Sequence, residues 1–245
     1  MWSEQITRLS LMIVPVPIAV SEILPEVKEV LKQQGVKEDH SISSKVMNLI
    51  ETARKNFTAV AQPIGIRQEL TNVEFADIFI GEGENDNSAP LSGIYPDAER
   101  LALFAITMGA EVSNLIAELV GSNDIALGYT LDSVASLAAD NAAGLMEKQY
   151  HEAAFANQRD NIKVLSYSPG YCGWHISGQK KLFRYLKPEI IGIILNDSFL
   201  MEPIKSVTGV LIAGKADIHI FKPNFSFCRV CRTYSCHSRL KSLKD

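Results

Sequence analysis

Tyr167-Ser-Pro-Gly-Tyr-Cys-Gly-Trp-His-Ile-Ser-Gly-Gln-Lys-Lys-Leu-Phe183 is the stretch around which the chain is organised. Pro169-Gly170 signals a turn, because proline presets φ and glycine accepts positive φ without steric cost. Glycines at 170, 173 and 178 let another segment or a ligand come close to the backbone. Leu182 and Phe183 begin an apolar pattern that predicts a short helix. A tight, aromatic, glycine-rich loop feeding a helix is where a binding site belongs, since loops held on a rigid scaffold carry function.

Upstream of this stretch, Val164 to Ser168 reads as extended chain. Before it, Leu131 to Ala154 reads as a helix rich in small residues: Ala135, Ser136, Ala138, Ala139, Ala142, Ala143 and Gly144. Such a face allows close helix packing. Pro96 opens a further helix running to about Val120, with Leu101, Phe104, Met108, Val112 and Leu115 at helical spacing and Gly121 as its stop. Phe57 to Ile66 and Val73 to Ile80 are rich in β-branched or aromatic residues and predict strands. Val20 to Gln34 and Ser43 to Phe57 carry helical stripes, while Leu11 to Val20, interrupted by Pro15 and Pro17, predicts an extended entry segment. Downstream, Ile190 to Leu195, Ser206 to Ala213 and Asp217 to Phe221 predict strands. Helices followed by short strands, with little βαβ alternation, predict an α+β fold: N-terminal and central helices packed on a twisted antiparallel sheet.

Composition narrows the function classes. The chain has 245 residues, 47% hydrophobic and 21% charged, which is enough apolar material for a core without disulfides. Its net charge of −4 gives no global basic field for nucleic acid. The apolar entry segment is too short and too proline-broken for a membrane span or a secretory signal, so a cytoplasmic protein with no membrane attachment is expected. Gly81-Glu-Gly83 lacks the third glycine and the following helix of a dinucleotide fingerprint. No Ser-His-Asp arrangement, HExxH or P-loop is present.

The turn Tyr167-Ser-Pro-Gly-Tyr171, then Gln179-Lys-Lys-Leu-Phe183, Leu195-Asn-Asp-Ser-Phe-Leu-Met-Glu-Pro203 and Lys205-Ser-Val-Thr-Gly209, follow in a specific order. In that order they resemble the activation (reactivation) domain of cobalamin-dependent methionine synthase, in a stand-alone form. Ala105-Ile-Thr-Met-Gly109 and Thr130-Leu-Asp-Ser-Val-Ala-Ser136 extend the likeness, which spans about 95 to 215. The resemblance implies a domain that binds S-adenosylmethionine in a shallow groove. It would present that donor to the cobalamin of a corrinoid protein or methyltransferase trapped as cob(II)alamin, with an external reductant supplying one electron. It implies that Tyr167, Ser168, Pro169, Gly170 and Tyr171 contact the donor, and that Asp132 faces the corrinoid-binding module. Physically, a glycine turn exposes backbone groups to an adenine edge, and a tyrosine supplies an apolar ring with a polar tip. One departure stands out: the family's arginine, which pairs with the ligand carboxylate, is replaced by Ser166. The turn thus either retains donor binding or preserves only a bend the fold needs, as in a non-catalytic module that holds a corrinoid protein.

Four cysteines complete the inventory. Cys228, Cys231 and Cys236 sit in a basic C-terminal stretch, and Cys172 follows the central turn. A C-x2-C pair plus two further thiols can hold zinc or an iron–sulfur cluster, or the thiols can stay metal-free. His175 and His237 adjoin these cysteines as further candidate ligands. The expected organisation is an α+β domain over residues 1–222 and a cysteine-rich basic tail over residues 223–245.

Overall fold

The computed structural model describes residues 12–36, 42–86, 89–156 and 161–220. Its centre is a five-stranded, wholly antiparallel sheet in the order β1-β2-β3-β7-β4. The strands are β1 (Val14–Pro17), β2 (Ile64–Leu70), β3 (Arg100–Thr107), β4 (Ile162–Tyr167) and β7 (Ser206–Lys215). A separate two-stranded hairpin is formed by β5 (Ile194–Leu195) and β6 (Met201–Glu202). The α+β class and the antiparallel sheet agree with the sequence reading.

Local chemistry explains most elements. Pro15 and Pro17 are tolerated because β1 is an edge strand, where a missing ladder donor costs little. The single helix expected over Val20 to Gln34 is instead two, α1 (Val20–Ile23) and α2 (Val27–Gln33), because Pro25 forces Leu24 into extended backbone at φ −64, ψ 117. Ser43 caps α3 (Ser44–Val60) by accepting the Val46 N–H.

Further expectations are corrected: of Phe57 to Ile66, expected as a strand, residues 57–60 end α3 and only residues 64–66 lie in β2. Val73 to Ile80 is not a strand but lies in α4 (Asn72–Ile80), which follows a capping box: Thr71 Oγ1 accepts the Glu74 N–H at 3.2 Å and Glu74 accepts the Thr71 N–H at 2.7 Å. Its Phe75, Ile78 and Phe79, spaced for one helix face, are buried. The cap outweighs β propensity here, and Thr71→Ala is expected to cost about 1 kcal/mol, read as a lower denaturant midpoint. The supposed helix from Pro96 to Val120 is the central strand β3 followed by α6 (Ala110–Gly121). Strand β3 is covered on both faces, so its apolar residues run continuously and Leu101, Phe104 and Met108 fall at helical spacing by coincidence. Of Ile190 to Leu195, the first two residues end a 3-10 turn (Pro188–Ile191) and only the last two lie in β5. Residues 217–219 form the end of another 3-10 turn (Ala216–His219) rather than a strand.

One face of the sheet carries α1, α2, α3, α6 and the 30-residue α7 (Ile125–Ala154). Ala135, Ala138, Ala142 and Gly128 let α7 lie close to its neighbours, and Phe104, Ile106 and Leu211 meet it from the sheet. The opposite face is covered by α4, α5 (Leu91–Ile94) and α8 (Gln179–Leu186), with Phe75, Trp174, Leu182 and Ile212 at its centre. Among the described residues no helix is long and apolar enough to cross a membrane.

Candidate functional site

The turn after β4 is built from below. Trp174 is buried against Phe75 and Phe79, with ring centroids 5.5 and 6.1 Å away. Trp174 accepts the Gly170 N–H at 2.7 Å and donates its own N–H to Tyr171 at 3.0 Å, and Tyr171 N–H reaches Ser168 O at 3.2 Å. This closed ring of bonds requires φ +90 at position 170, which suits glycine. Asn85 accepts the His175 N–H at 2.9 Å and Gly173 accepts the Asp86 N–H at 3.1 Å, tying the loop after α4 to the turn. His175 also faces Glu84 at 2.8 Å. A tightly anchored loop leaves Tyr171 half-exposed above it.

Above the turn opens a groove of about 330 Å³. Tyr167, Ser168, Pro169, Tyr171 and Cys172 line one side. Asp140, Ala143, Gly144 and Glu147 on α7 form the opposite wall, Val207 and Thr208 of β7 the floor, and Phe199, Leu200 and Met201 at the hairpin tip the rim. The rim is shaped by Asn196, whose side-chain oxygen accepts the Ser198 and Leu200 N–H groups at 3.0 Å each, and by Lys180 stacked 4.9 Å over the Phe199 ring. Thr208 donates to Gln179 at 2.8 Å within the floor.

The structure therefore brings together four of the six residues expected to contact a cofactor. Gly170 supports the turn without lining the groove. Asp132 lies further along α7, in an ion pair with Lys205 at 2.7 Å, and that lysine also reaches Ser136 at 2.9 Å. Sequence reading missed the α7 wall. Ala143 and Gly144 were assigned to helix packing, yet a Cβ on Gly144 would meet nothing within 4 Å. The signal that was present, the Ser198-Phe-Leu-Met201 motif, served only as a family marker.

Ser166 does more than vacate the arginine position. It donates its backbone N–H at 2.8 Å and its hydroxyl at 2.6 Å to Glu147 Oε1. The wall there carries a carboxylate where the resemblance expects a guanidinium. Among the described lining residues, Asp140 and Glu147 are the charged ones.

Behind the turn, Tyr167 stacks on His219 and bonds its Nδ1 at 2.9 Å, while His219 Nε2 lies 3.4 Å from Lys163 O. Burial pushes the His219 pKa below its ordinary 6.5, only partly offset by the Lys163 carbonyl and Asp217. The native state thus holds this imidazole neutral while the unfolded chain takes up a proton. Its contribution is present above about pH 6.5 and is lost as pH falls below that value toward the depressed folded pKa. The slope of unfolding midpoint against pH in that range is expected to be shallower for His219→Asn.

Cys172 is half-buried on the groove wall. Cys228, Cys231, Cys236 and His237 lie outside the described residues, as does the basic tail. Among the described residues no group of three or more His, Cys, Asp or Glu stands where it could hold a metal.

Residues 85–222 match the family model for the vitamin B12 dependent methionine synthase activation domain. In fold, the chain resembles the crystal structure of the MetH reactivation domain bound to AdoHcy, with a TM-score of 0.60 and 14% identity. The likeness covers 82% of this chain and 78% of that one. No functionally curated protein matches the sequence.

Proposed function

The chain belongs to the activation-domain family of vitamin B12 dependent methionine synthase, and on that premise we propose that it serves the reductive reactivation of a partner cobalamin-dependent methyltransferase. In this reading it docks on the partner's cobalamin module and holds an adenosine-type methyl donor, of the S-adenosylmethionine class, in the groove. The observation that carries the reading is the coincidence of the Ser168–Tyr171 turn, the family's ligand segment, with a groove of about 330 Å³. That volume lies at the lower end of small-molecule sites. The related reactivation domain was crystallised with AdoHcy, a ligand of the same shape.

The residues divide the work plainly. Tyr171 offers a half-exposed ring for a flat base, and Ala143 and Gly144 present a smooth helix surface opposite. Asp140 and Glu147 stand on the same helix wall, and the sulfonium of such a donor supplies the methyl group when bound. Trp174 and the Asn85 contact hold the turn in place before any ligand arrives. An adenosine body suits this lining.

The test is a partner methyltransferase trapped as cob(II)alamin and supplied with a one-electron reductant and S-adenosylmethionine. Loss of the cob(II)alamin absorbance should accelerate when the chain is added. An unchanged rate with and without the chain would sink the reactivation reading. The Ser166–Glu147 contact favours a second reading, a docking module that holds the corrinoid protein without a methyl donor. That reading expects a stable complex with the partner whose affinity does not respond to S-adenosylmethionine.

A further inference from the structure

The floor of the groove carries a buried polar pair, and what that pair selects rests on the reading that the groove takes an adenosine-type molecule. Gln179, the first residue of α8, and Thr208 of β7 both line the groove and are only 3% and 1% exposed. The Thr208 hydroxyl donates to Gln179 Oε1 at 2.8 Å. Both partners are held by the fold. Thr208 pairs with Ala105 in the β3–β7 ladder, and the start of α8 is seated on Trp174, which leaves no room for a Cβ at Gly178. A carboxamide receives a hydroxyl hydrogen only on its oxygen, so this bond fixes which end of the amide is which. The flipped amide would leave the hydroxyl hydrogen without that acceptor, which is costly in a buried place. In the fixed orientation Nε2 has no acceptor among the described residues and is not sealed in the interior, so its N–H groups open on the groove. Oε1 keeps a second lone pair.

The floor thus presents a donor and an acceptor side by side in one plane. Adenine carries the complement, a ring-nitrogen acceptor beside its 6-amino donor, and a carboxamide can pair with both at once. Hypoxanthine has the same shape but an oxygen in place of the amino group. Against a fixed amide that oxygen meets Oε1, acceptor on acceptor, and only a flip of the amide relieves the contact. We infer that Gln179 reads the 6-amino group of the ligand's base and that Thr208 is the positioning residue that prevents the flip. The groove therefore takes adenine nucleosides and rejects their 6-oxo counterparts. Specificity of this kind is a repulsion against the wrong base as much as an attraction to the right one.

Calorimetry on the full chain tests it with two uncharged probes of matching shape, 5′-methylthioadenosine and 5′-methylthioinosine. The adenine form is expected to bind roughly tenfold tighter or more. In Thr208→Val, which keeps the shape of the side chain and removes its hydroxyl, that ratio should fall to within about threefold, and Thr208→Ser should restore it. A threonine with a merely structural role would weaken both probes together and leave the ratio alone. Equal affinity for the two probes in the parent chain, or a ratio unmoved in a folded Thr208→Val, would overturn the inference and leave the nucleoside groove standing. The comparison in the parent chain decides whether or not the variant folds. Failure of both probes to bind at millimolar concentration would overturn the inference and the adenosine reading together.

Discussion

Gly209→Ala is expected to lower stability by about 3 kcal/mol, the upper part of the usual range for overpacking a filled interior. A Cβ at this position would stand 2.2 Å from the Tyr167 carbonyl oxygen and 3.0 Å from both Phe104 Cε1 and Ser168 Oγ. None of these can retreat cheaply. Gly209 lies in β7, which pairs with β3 on one side and β4 on the other, opposite Phe104 in the register. Relief therefore requires the end of β4 to leave the sheet, and with it the turn that lines the groove. A chain of this size should lose roughly 6–12 °C of its unfolding midpoint. Ligand binding should weaken in the same variant. A midpoint unchanged from the parent chain would contradict the β3–β7–β4 register.

Gly144→Leu should separate the groove from the fold. Glycine inside a helix is unfavourable by about 1 kcal/mol, and open space surrounds this position, so stability should hold or rise slightly. The new side chain stands on the α7 wall between Ala143 and Glu147 and fills the volume an adenosine needs. Affinity for any adenosine ligand is expected to fall at least tenfold. Undiminished affinity at unchanged stability would place the ligand somewhere other than this groove.

Much of the fold was legible because local signals and tertiary demands agreed. The extended segment bearing Pro15 and Pro17, the small-residue helix ending at Ala154 and the strand beginning at Ser206 were read from the sequence, although α7 starts six residues earlier, at Ile125, and β7 runs two residues further, to Lys215. Strand β3 was illegible for a physical reason: burial on both faces erases the alternation by which a strand is read. Helix α4 was legible in its Thr71 and Glu74 cap, which β-rich composition obscured. The groove was half legible. The turn declared itself through proline and glycine, whereas Asp140 and Glu147 are ordinary polar residues on a long helix until the sheet brings Ser166 against Glu147. That Ser166 stands where the resemblance expects an arginine could be read from sequence. The carboxylate that takes its place could not, because 19 residues and a helix-to-strand crossing separate the two partners.

The central claim is that the turn and the α7 wall form one adenosine-binding groove. Amide shifts of the isotopically labelled chain, followed during titration with 5′-methylthioadenosine, test it most directly, since this uncharged probe is indifferent to the carboxylates. Saturable shifts concentrated at Ser168–Cys172 and Asp140–Glu147 are the predicted result. Shifts confined to other parts of the chain, or none at millimolar probe, would contradict it.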